Sequence, residues 1–440
     1  METAEKTSPE SPQASPARSQ NNPPICIEPD LDFIRNVARQ GGETLKKCIQ
    51  CGTCSATCEL SPDQNPFPRK EMAWAVWGMK GRLLTDPDLW LCHQCNDCSV
   101  RCPRGARPGD VLGAIRQECI ANYAVPRFLG RWVSEPQCIP LLLGIPIALL
   151  TLAMLVKDPV ERLLGFSQPG GEGARLSERI VYSYSHMLPH WLLNSFFLFF
   201  SFLTLLAVVA GVARFWGAMK AADSQSPNAA GVKGLLPSLI AVLGSIFTHE
   251  KFDNCTKARS RLWSHMCVFF GFGALCVVTL WVITAQINPL IRDDFIYPFS
   301  LWSPWKVLAN AGGLALLVGT LWMAFDRVIN TEQNTAGAGR YADWALLVTL
   351  LTVVITGFAS ELLHYVRLEP HRHIAYFTHL VFVFALLIYL PYSKLAHFVY
   401  RTAALVYAER TGRNDTKRPA PAAAEKSVEQ EEAHHAARDI

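Results

Sequence analysis

The chain has 440 residues, of which 50% are hydrophobic and only 18% charged, and its formal net charge is +4. That balance excludes an ordinary soluble globule of this length and makes a membrane protein the first expectation. The small positive charge is dispersed along the sequence and leaves no footprint for nucleic acid or for an acidic substrate.

Residues 1–26 begin "METAEKTSPESPQASPARSQNNPP", with acids, prolines and serines where a signal peptide needs a basic head and an apolar run. This stretch reads as a disordered leader. The cysteine-rich region behind it is therefore expected on the cytosolic side, where thiols stay reduced and suit metal better than disulfides.

Residues 27–125 carry the clearest chemistry. "CIQCGTCSATC" sets Cys48, Cys51, Cys54 and Cys58 at C-x2-C-x2-C-x3-C, and "CHQCNDCSVRCP" repeats the spacing with Cys92, Cys95, Cys98 and Cys102. Such a run wraps one corner of a cubane and gives three irons a thiolate each, while the fourth ligand comes from elsewhere. As in two-cluster ferredoxins with this spacing, the fourth cysteines are expected to cross over. One [4Fe-4S] cluster would take Cys48, Cys51, Cys54 and Cys102, the other Cys92, Cys95, Cys98 and Cys58. Structural zinc is the rival, but it favours separated pairs over quartets. Cys58 is followed by Glu59 where its twin Cys102 is followed by Pro103, so the turn there is expected to differ. "PRKEMAWAVWGMKGRLL" and "GDVLGAIRQECIANYAV" have helical spacing, which makes the module helical. His93 stands among ligands already sufficient in number and reads as tuning or solvated. Cys26, Cys119, Cys138, Cys255, Cys267 and Cys276 lack a ligand spacing and read as small apolar fillers.

Six apolar windows follow, at about 138–156, 192–216, 262–286, 305–326, 342–363 and 374–400. Residues 138–403 are thus expected to be a six-span bundle, and 411–440 a polar tail. The connection 217–261 carries Lys220, Lys233, Lys251, Lys257, Arg259 and Arg261, whereas 289–303 carries only Arg292. This bias puts both termini in the cytoplasm. Lys157, Arg162, Arg175 and Arg179 in 157–191 weigh the other way. "LLPSLIAVLGSIF" is too short to cross easily and is expected on the membrane surface or against the bundle.

An imidazole in hydrocarbon is costly unless it binds something. On one continuous helix His379 and His397, eighteen positions apart, would leave the same face roughly 27 Å from each other. His265, one turn inside the inner end of the third span, matches His397 in depth, and this pair is the choice for the axial ligands of an inner haem b. For an outer haem His379 needs a partner: His186 and His190 rank ahead of His364, and Leu275 stands where the third span could have offered a second ligand. The alternative for each is an interfacial histidine at the headgroups. His371 and His373 are expected in an outer loop, His249 on the inner surface, and His434 and His435 in the tail.

The ending "LPYSKLAHFVY" and its two histidines resemble the last span of the cytochrome b subunit of respiratory nitrate reductases, and His265 matches one of that family's partner ligands. The N-terminal module, above all "WLCHQCNDCSVRCPRGARPGDVLGAIR", resembles the C subunit of heterodisulfide reductases. A chain joining the two is similar to the QmoC family, the membrane subunits of quinone-interacting oxidoreductase complexes. That resemblance implies an all-α electron-transfer subunit between the quinone or menaquinone pool and cytosolic QmoA- and QmoB-like flavin and iron-sulfur subunits, with adenylylsulfate reductase beyond them. It also implies an inner-membrane location among lipid. Glu361, His364, Tyr365 and Arg367, at the outer end of the fifth span, are the candidate quinone residues, with helix-end anchoring by Tyr365 and Arg367 as the alternative. The rival functions are the membrane arm of a heterodisulfide reductase, the cytochrome of a sulfite-reduction complex, or a haem-free membrane anchor.

Overall fold

The computed structural model describes residues 28–62, 65–164, 184, 187–223, 233–249, 259–288, 290–291, 299–329 and 339–413. Every regular element among them is helical, so the expected all-α class holds. The leader, Cys26, His186, Cys255, His434 and His435 lie outside the described residues.

The N-terminal module opens with Leu31–Val37 (α1), capped by Asp30, whose carboxylate accepts the Phe33 N–H at 2.8 Å. Thr53–Ala56 (α2) closes the first cysteine run. The helical stretch expected over 68–84 forms as two pieces, Arg69–Val76 (α3) and Lys80–Thr85 (α4), parted at Trp77–Met79. Asp97–Val100 (α5) closes the second run. Pro108–Tyr123 (α6) starts on a proline, which suits a first turn whose N–H needs no partner, and buries Val111, Leu112, Ile115, Cys119 and Ile120 in the core. Cys119 is the small buried filler its spacing suggests. Arg127–Ser134 (α7) then leads to the membrane half.

Among the described residues, six helices are long and apolar enough to cross a bilayer, over Pro136–Val160, His190–Asp223, Leu262–Ile287, Pro304–Ile329, Tyr341–Val366 and His371–Ile388. They belong to Ile139–Leu164 (α8), His190–Asp223 (α9), Arg259–Ile287 (α11), Pro304–Ile329 (α12), Gly339–Val366 (α13) and His371–Ile388 (α14). This is compatible with a multi-pass membrane protein. Leu235–Thr248 (α10) is the short apolar helix between the second and third, and it packs on His397–Arg410 (α15). Helices α11 and α12 touch backbone to backbone: a Cβ on Gly271 would meet the Gly312 carbonyl oxygen at 2.6 Å, and one on Gly319 would meet the Ser264 carbonyl oxygen at 2.8 Å. Small residues permit this approach where lipid supplies no hydrophobic drive, and Cys267 fills the same seam.

The sixth span differs from the expectation. It begins at His371, so His371 and His373 open a helix instead of lying in a loop, and it ends at Ile388. Turns over Tyr389–Tyr392 contain Pro391, which has no N–H to continue the ladder, and the Ser393 side chain then accepts the Leu395 N–H at 3.2 Å to start a new turn. Eighteen residues already make about 27 Å, nearly the depth of a hydrocarbon core. His379 and His397 consequently stand on different helices, and the single helix over 374–400 does not form.

The chain beyond the break belongs to the junction with the N-terminal module. Tyr400, Ala403, Ala404 and Val406 of α15 share one core with Phe33, Met72, Leu112 and Trp90. The 34 residues of α9 measure about 51 Å, longer than the hydrocarbon needs, and its last turns carry Phe215 and Met219 into that core. Trp90 stacks on Tyr400 with centroids 5.9 Å apart and meets Phe215 edge-on at 6.1 Å.

A buried charge cluster fastens the same junction. Lys70 Nζ lies 2.6 Å from Asp88, 3.0 Å from Asp86 and 3.4 Å from Glu71, and Arg413, just past α15, lies 3.6 Å from both aspartates and also pairs with Asp223 of α9. Burial pushes the Glu71 carboxyl well up and, with Asp86 adding to it, the Asp88 carboxyl up. Carboxyls with raised folded-state pKa values give up stability as pH climbs from the ordinary carboxylate range toward those values. Lys70→Met is therefore expected to cost about 3–5 kcal/mol, because it strands buried carboxylates. Thermal unfolding in detergent should show a larger loss at pH 8 than at pH 5.

Candidate metal centres

The two cysteine runs fold as structural repeats. Gln50 and Gln94 take left-handed φ values of 59° and 55°, and Gly52 and Asn96, each two residues on, take 82° and 68°. In both runs a one-turn helix comes next, α2 carrying Cys54 and α5 carrying Cys98, and both cysteines are buried. Left-handed turns of this kind aim successive N–H groups at one point, which suits a negatively charged ligand set. The Gln94 N–H points at Cys92 Sγ (3.3 Å), the Ala106 N–H at Cys102 Sγ (3.3 Å) and the Gln50 side-chain amide at Cys48 Sγ (3.2 Å). The turn after Cys58 matches its twin despite Glu59: Ser61 donates to the Cys58 carbonyl at 3.0 Å, as Gly105 does to Cys102 at 3.1 Å.

The thiols gather in two groups. Burial and the neighbouring Cys48 and Cys102 push the Cys54 thiol up to about 11. Burial with Cys92 and Cys95 pushes Cys58 up to about 12, and burial with Cys92, Cys95 and Cys58 pushes Cys98 up as well. Cys58 thus lies near Cys92, Cys95 and Cys98, and Cys54 lies near Cys48 and Cys102 and also within reach of Cys98. Cys51 is exposed, its sulfur 3.4 Å from Thr53 Oγ1. Tetrahedral zinc would draw thiolates to about 3.8 Å from one another. Among the described residues, the ligand-type side chains that gather within 4.8 Å are the acids Glu71, Asp86 and Asp88, and no trio of cysteines does so. Crowded thiols, spread wider than one ion needs and met by N–H donors, fit a cubane's corners.

A cavity of about 1360 Å³ lies beside the second run, lined by His93, Gln94 and Cys95 on one side and by His265, His397 and His249 on another. His397 opens α15, and its Nδ1 lies 2.6 Å from the Lys394 carbonyl oxygen. With Nδ1–H donated there, Nε2 is left for a metal, the usual way a ligating imidazole is oriented. His265 Nδ1 lies 3.3 Å from His249 Nε2. His249, expected on the inner surface, instead sits half-buried against His265 and edge-on to Phe269. It caps α10 with a left-handed φ of 53°. Sixteen positions separate it from His265 in the chain, on a different helix, so no spacing signals the contact. Lys394, Arg327 and Arg401 also line the cavity, and Asp343 pairs with Lys394 and, at 2.7 Å, with Arg327. The imidazoles of His265 and His397, an apolar wall containing Phe269 and Phe398, and three cations share this one cavity, a set of groups of the kind a haem takes.

On the other side of the bundle, His379 Nδ1 lies 3.0 Å from the Val353 carbonyl oxygen and 3.3 Å from Thr356 Oγ1, while its ring rests on Gly357. His364 meets Tyr184 at a tilt of 36° with centroids 5.5 Å apart, and His190 opens α9 with an exposed side chain. Glu361 pairs with Lys306 at 2.9 Å and accepts from Asn310 at 3.3 Å, whereas Tyr365 and Arg367 are exposed at the end of α13.

Residues 136–421 match the citrate utilization protein B family. The chain belongs to that family. Residues 44–106 match the 4Fe-4S dicluster domain. Citrate utilization protein B of Escherichia coli is 25% identical over 395 residues, which cover 87% of this chain and 92% of that protein. The N-terminal module is homologous to the C subunit of heterodisulfide reductases. It is 37% identical over 99 residues to the C subunit of the H(2):CoB-CoM heterodisulfide,ferredoxin reductase of Methanothermobacter marburgensis, covering 22% of this chain and 53% of that one. It is 36% identical over 86 residues to a protein of Archaeoglobus profundus that is itself similar to the heterodisulfide reductase C subunit, covering 19% and 46%. This chain thus spans about half the length of these two relatives, and the first of them belongs to an oxidoreductase complex. No solved structure matches.

Proposed function

We propose that this protein is a membrane electron-transfer subunit linking the quinone pool to soluble flavin and iron-sulfur subunits. The observation that carries the reading is the shared cavity: Cys95 of the second cysteine run and the imidazoles of His265 and His397 line one space. When bound, two [4Fe-4S] clusters and haem b supply one-electron carriers for chemistry that quinones undertake in pairs of electrons. Cys48, Cys51, Cys54 and Cys102 would hold one cluster, and Cys92, Cys95, Cys98 and Cys58 the other. His265 and His397 would hold the inner haem, and His379 with His190 or His186 an outer one. Lys394 orients His397 through its carbonyl and holds Asp343 through its ammonium, so one residue ties the imidazole to the cavity's charged rim. Glu361 and His364, with Tyr365 and Arg367, are the groups proposed to exchange protons with quinone. The cluster module and both termini are placed in the cytoplasm on the lysine and arginine bias.

The finer reading is a Qmo-type complex, with QmoA- and QmoB-like subunits and adenylylsulfate reductase as partners. The family match favours a second reading, in which the soluble partner serves citrate utilization. Purification from the membrane in mild detergent, followed by identification of the attached subunits, tests both. Flavin and iron-sulfur subunits of the heterodisulfide reductase A type are expected under the first. Attachment of an enzyme acting on citrate or a related carboxylate would select the second, and a chain that brings no redox subunit with it would contradict both.

A further inference from the structure

The two thiol groups are unequally covered. Cys92 and Cys98 are each 8% exposed, and Cys92, with Trp90 and Leu91, is part of the core that runs into Phe215 and Tyr400. Cys51 of the other group faces solvent, and Ile49 and Val100, on the same two runs, are 60% and 50% exposed. The module therefore has an inner side sealed against the membrane half and an outer edge where a thiol ligand is bare.

That outer edge is strongly basic. Lys46, Lys47, Arg69, Arg101 and Arg104 are exposed, and none has an acidic ion-pair partner among the described residues. The Thr44 hydroxyl donates to the Ala106 carbonyl at 2.8 Å, which holds the segment with Lys46 and Lys47 against the one with Arg101 and Arg104. Arg69 closes the patch from α3: its N–H donates to Ser55 Oγ at 3.0 Å, and its side chain packs 3.7 Å from the Cβ position of Gly52. Within residues 43–62 and 97–107, Glu43 and Glu59 are the exposed acids among the described residues. An apolar centre in a surround where basic side chains outnumber acidic ones is how small transient redox interfaces recruit a partner quickly without holding it.

We propose that the face around Cys51 is the docking surface for a soluble redox protein with an acidic surface, so that electrons cross between the partner's cofactor and the exposed cluster edge. The proposal rests on the electron-transfer reading above and adds to it the face and the charge of the partner. Each crossing is one electron lost by iron on one side and gained on the other, with no bond made or broken.

The test uses the full chain in neutral phosphatidylcholine nanodiscs, with the soluble domain of cytochrome b5 as an acidic probe and cytochrome c as a basic one. Biolayer interferometry should show cytochrome b5 binding that weakens about tenfold between 20 and 200 mM salt, while cytochrome c binds far more weakly. K46E/K47E/R104E should lose about tenfold in cytochrome b5 affinity at low salt, and K46R/K47R/R104K should keep it. Equal affinity in wild type and the reversed-charge variant, or no salt dependence, overturns the proposal. A variant that keeps cytochrome b5 affinity but loses binding of phosphatidylserine vesicles would assign the patch to lipid headgroups and overturn it as well. In the same samples, dithionite-reduced chain is mixed with each ferric cytochrome, whose haem iron takes one electron. Failure to be oxidised by either sinks the electron-transfer reading itself. Oxidation by cytochrome b5 at equal rates in wild type and K46E/K47E/R104E sinks only the docking face.

Discussion

His397→Ala is expected to remove at least half of the reduced haem b α-band per chain, and all of it if a single haem is bound. The ring is lodged at the break between α14 and α15, with Nδ1 fixed to the Lys394 carbonyl oxygen at 2.6 Å and Nε2 left toward the cavity. Truncation deletes a proposed axial ligand, while the Lys394 carbonyl keeps its bond from the backbone N–H of residue 397, so the local turn should survive. His265→Ala should give the same spectrum. His249→Ala is the discriminating control: it touches His265 at 3.3 Å but leaves both proposed ligands in place, so the α-band should persist. Full haem in His397→Ala, or its loss in His249→Ala alone, would show that a different imidazole pair holds the iron. The iron-sulfur EPR signals should survive in all three variants, since no cysteine is touched.

Cys98→Ser and Cys51→Ser should separate sharply although both delete a proposed cluster ligand. Cys98 is buried on α5 among Cys92, Cys95 and Cys58, so a serine there puts a hydroxyl in a core that expects sulfur and iron. Because metal binding is part of the folding free energy of such modules, loss of this centre should lower the unfolding midpoint by at least about 5 °C and abolish its EPR signal. Cys51 is at the exposed edge, where a serine or a water can approach the open corner. Its serine variant should stay folded, with a midpoint near wild type and only the outer cluster's signal altered or lost. A wild-type midpoint for Cys98→Ser would mean that the inner thiols hold no structural centre.

The metal-binding runs are legible in the sequence because their signal is local: four cysteines within eleven residues fix a loop whatever surrounds it, and the repeated φ pattern at Gln50, Gly52, Gln94 and Asn96 is the same information in backbone form. The six apolar helices are legible for a similar reason, since hydropathy over some twenty residues reports length and greasiness directly. Hydropathy does not distinguish lipid from protein interior, and the sixth span ends earlier than its apolar run for that reason. Ala403, Ala404 and Val406 are apolar because they pack beneath Trp90 and its neighbours, not because they meet acyl chains. Pro391 is the visible warning of the break. His249 is unreadable because its contact with His265 is made by α10 folding back against the bundle, a tertiary event. The charge cluster of Lys70, Glu71, Asp86, Asp88 and Arg413 joins segments more than 300 residues apart, and in the sequence its members look like ordinary solvated charges.

The most direct test of the central claim, that this chain houses both cubanes and haem, is the quantification of iron, acid-labile sulfide and haem per polypeptide in the purified full-length protein. About eight non-haem irons and eight sulfides, with one or two haems b, are expected. Zinc in place of iron, absence of labile sulfide, or iron-sulfur without any haem would contradict it.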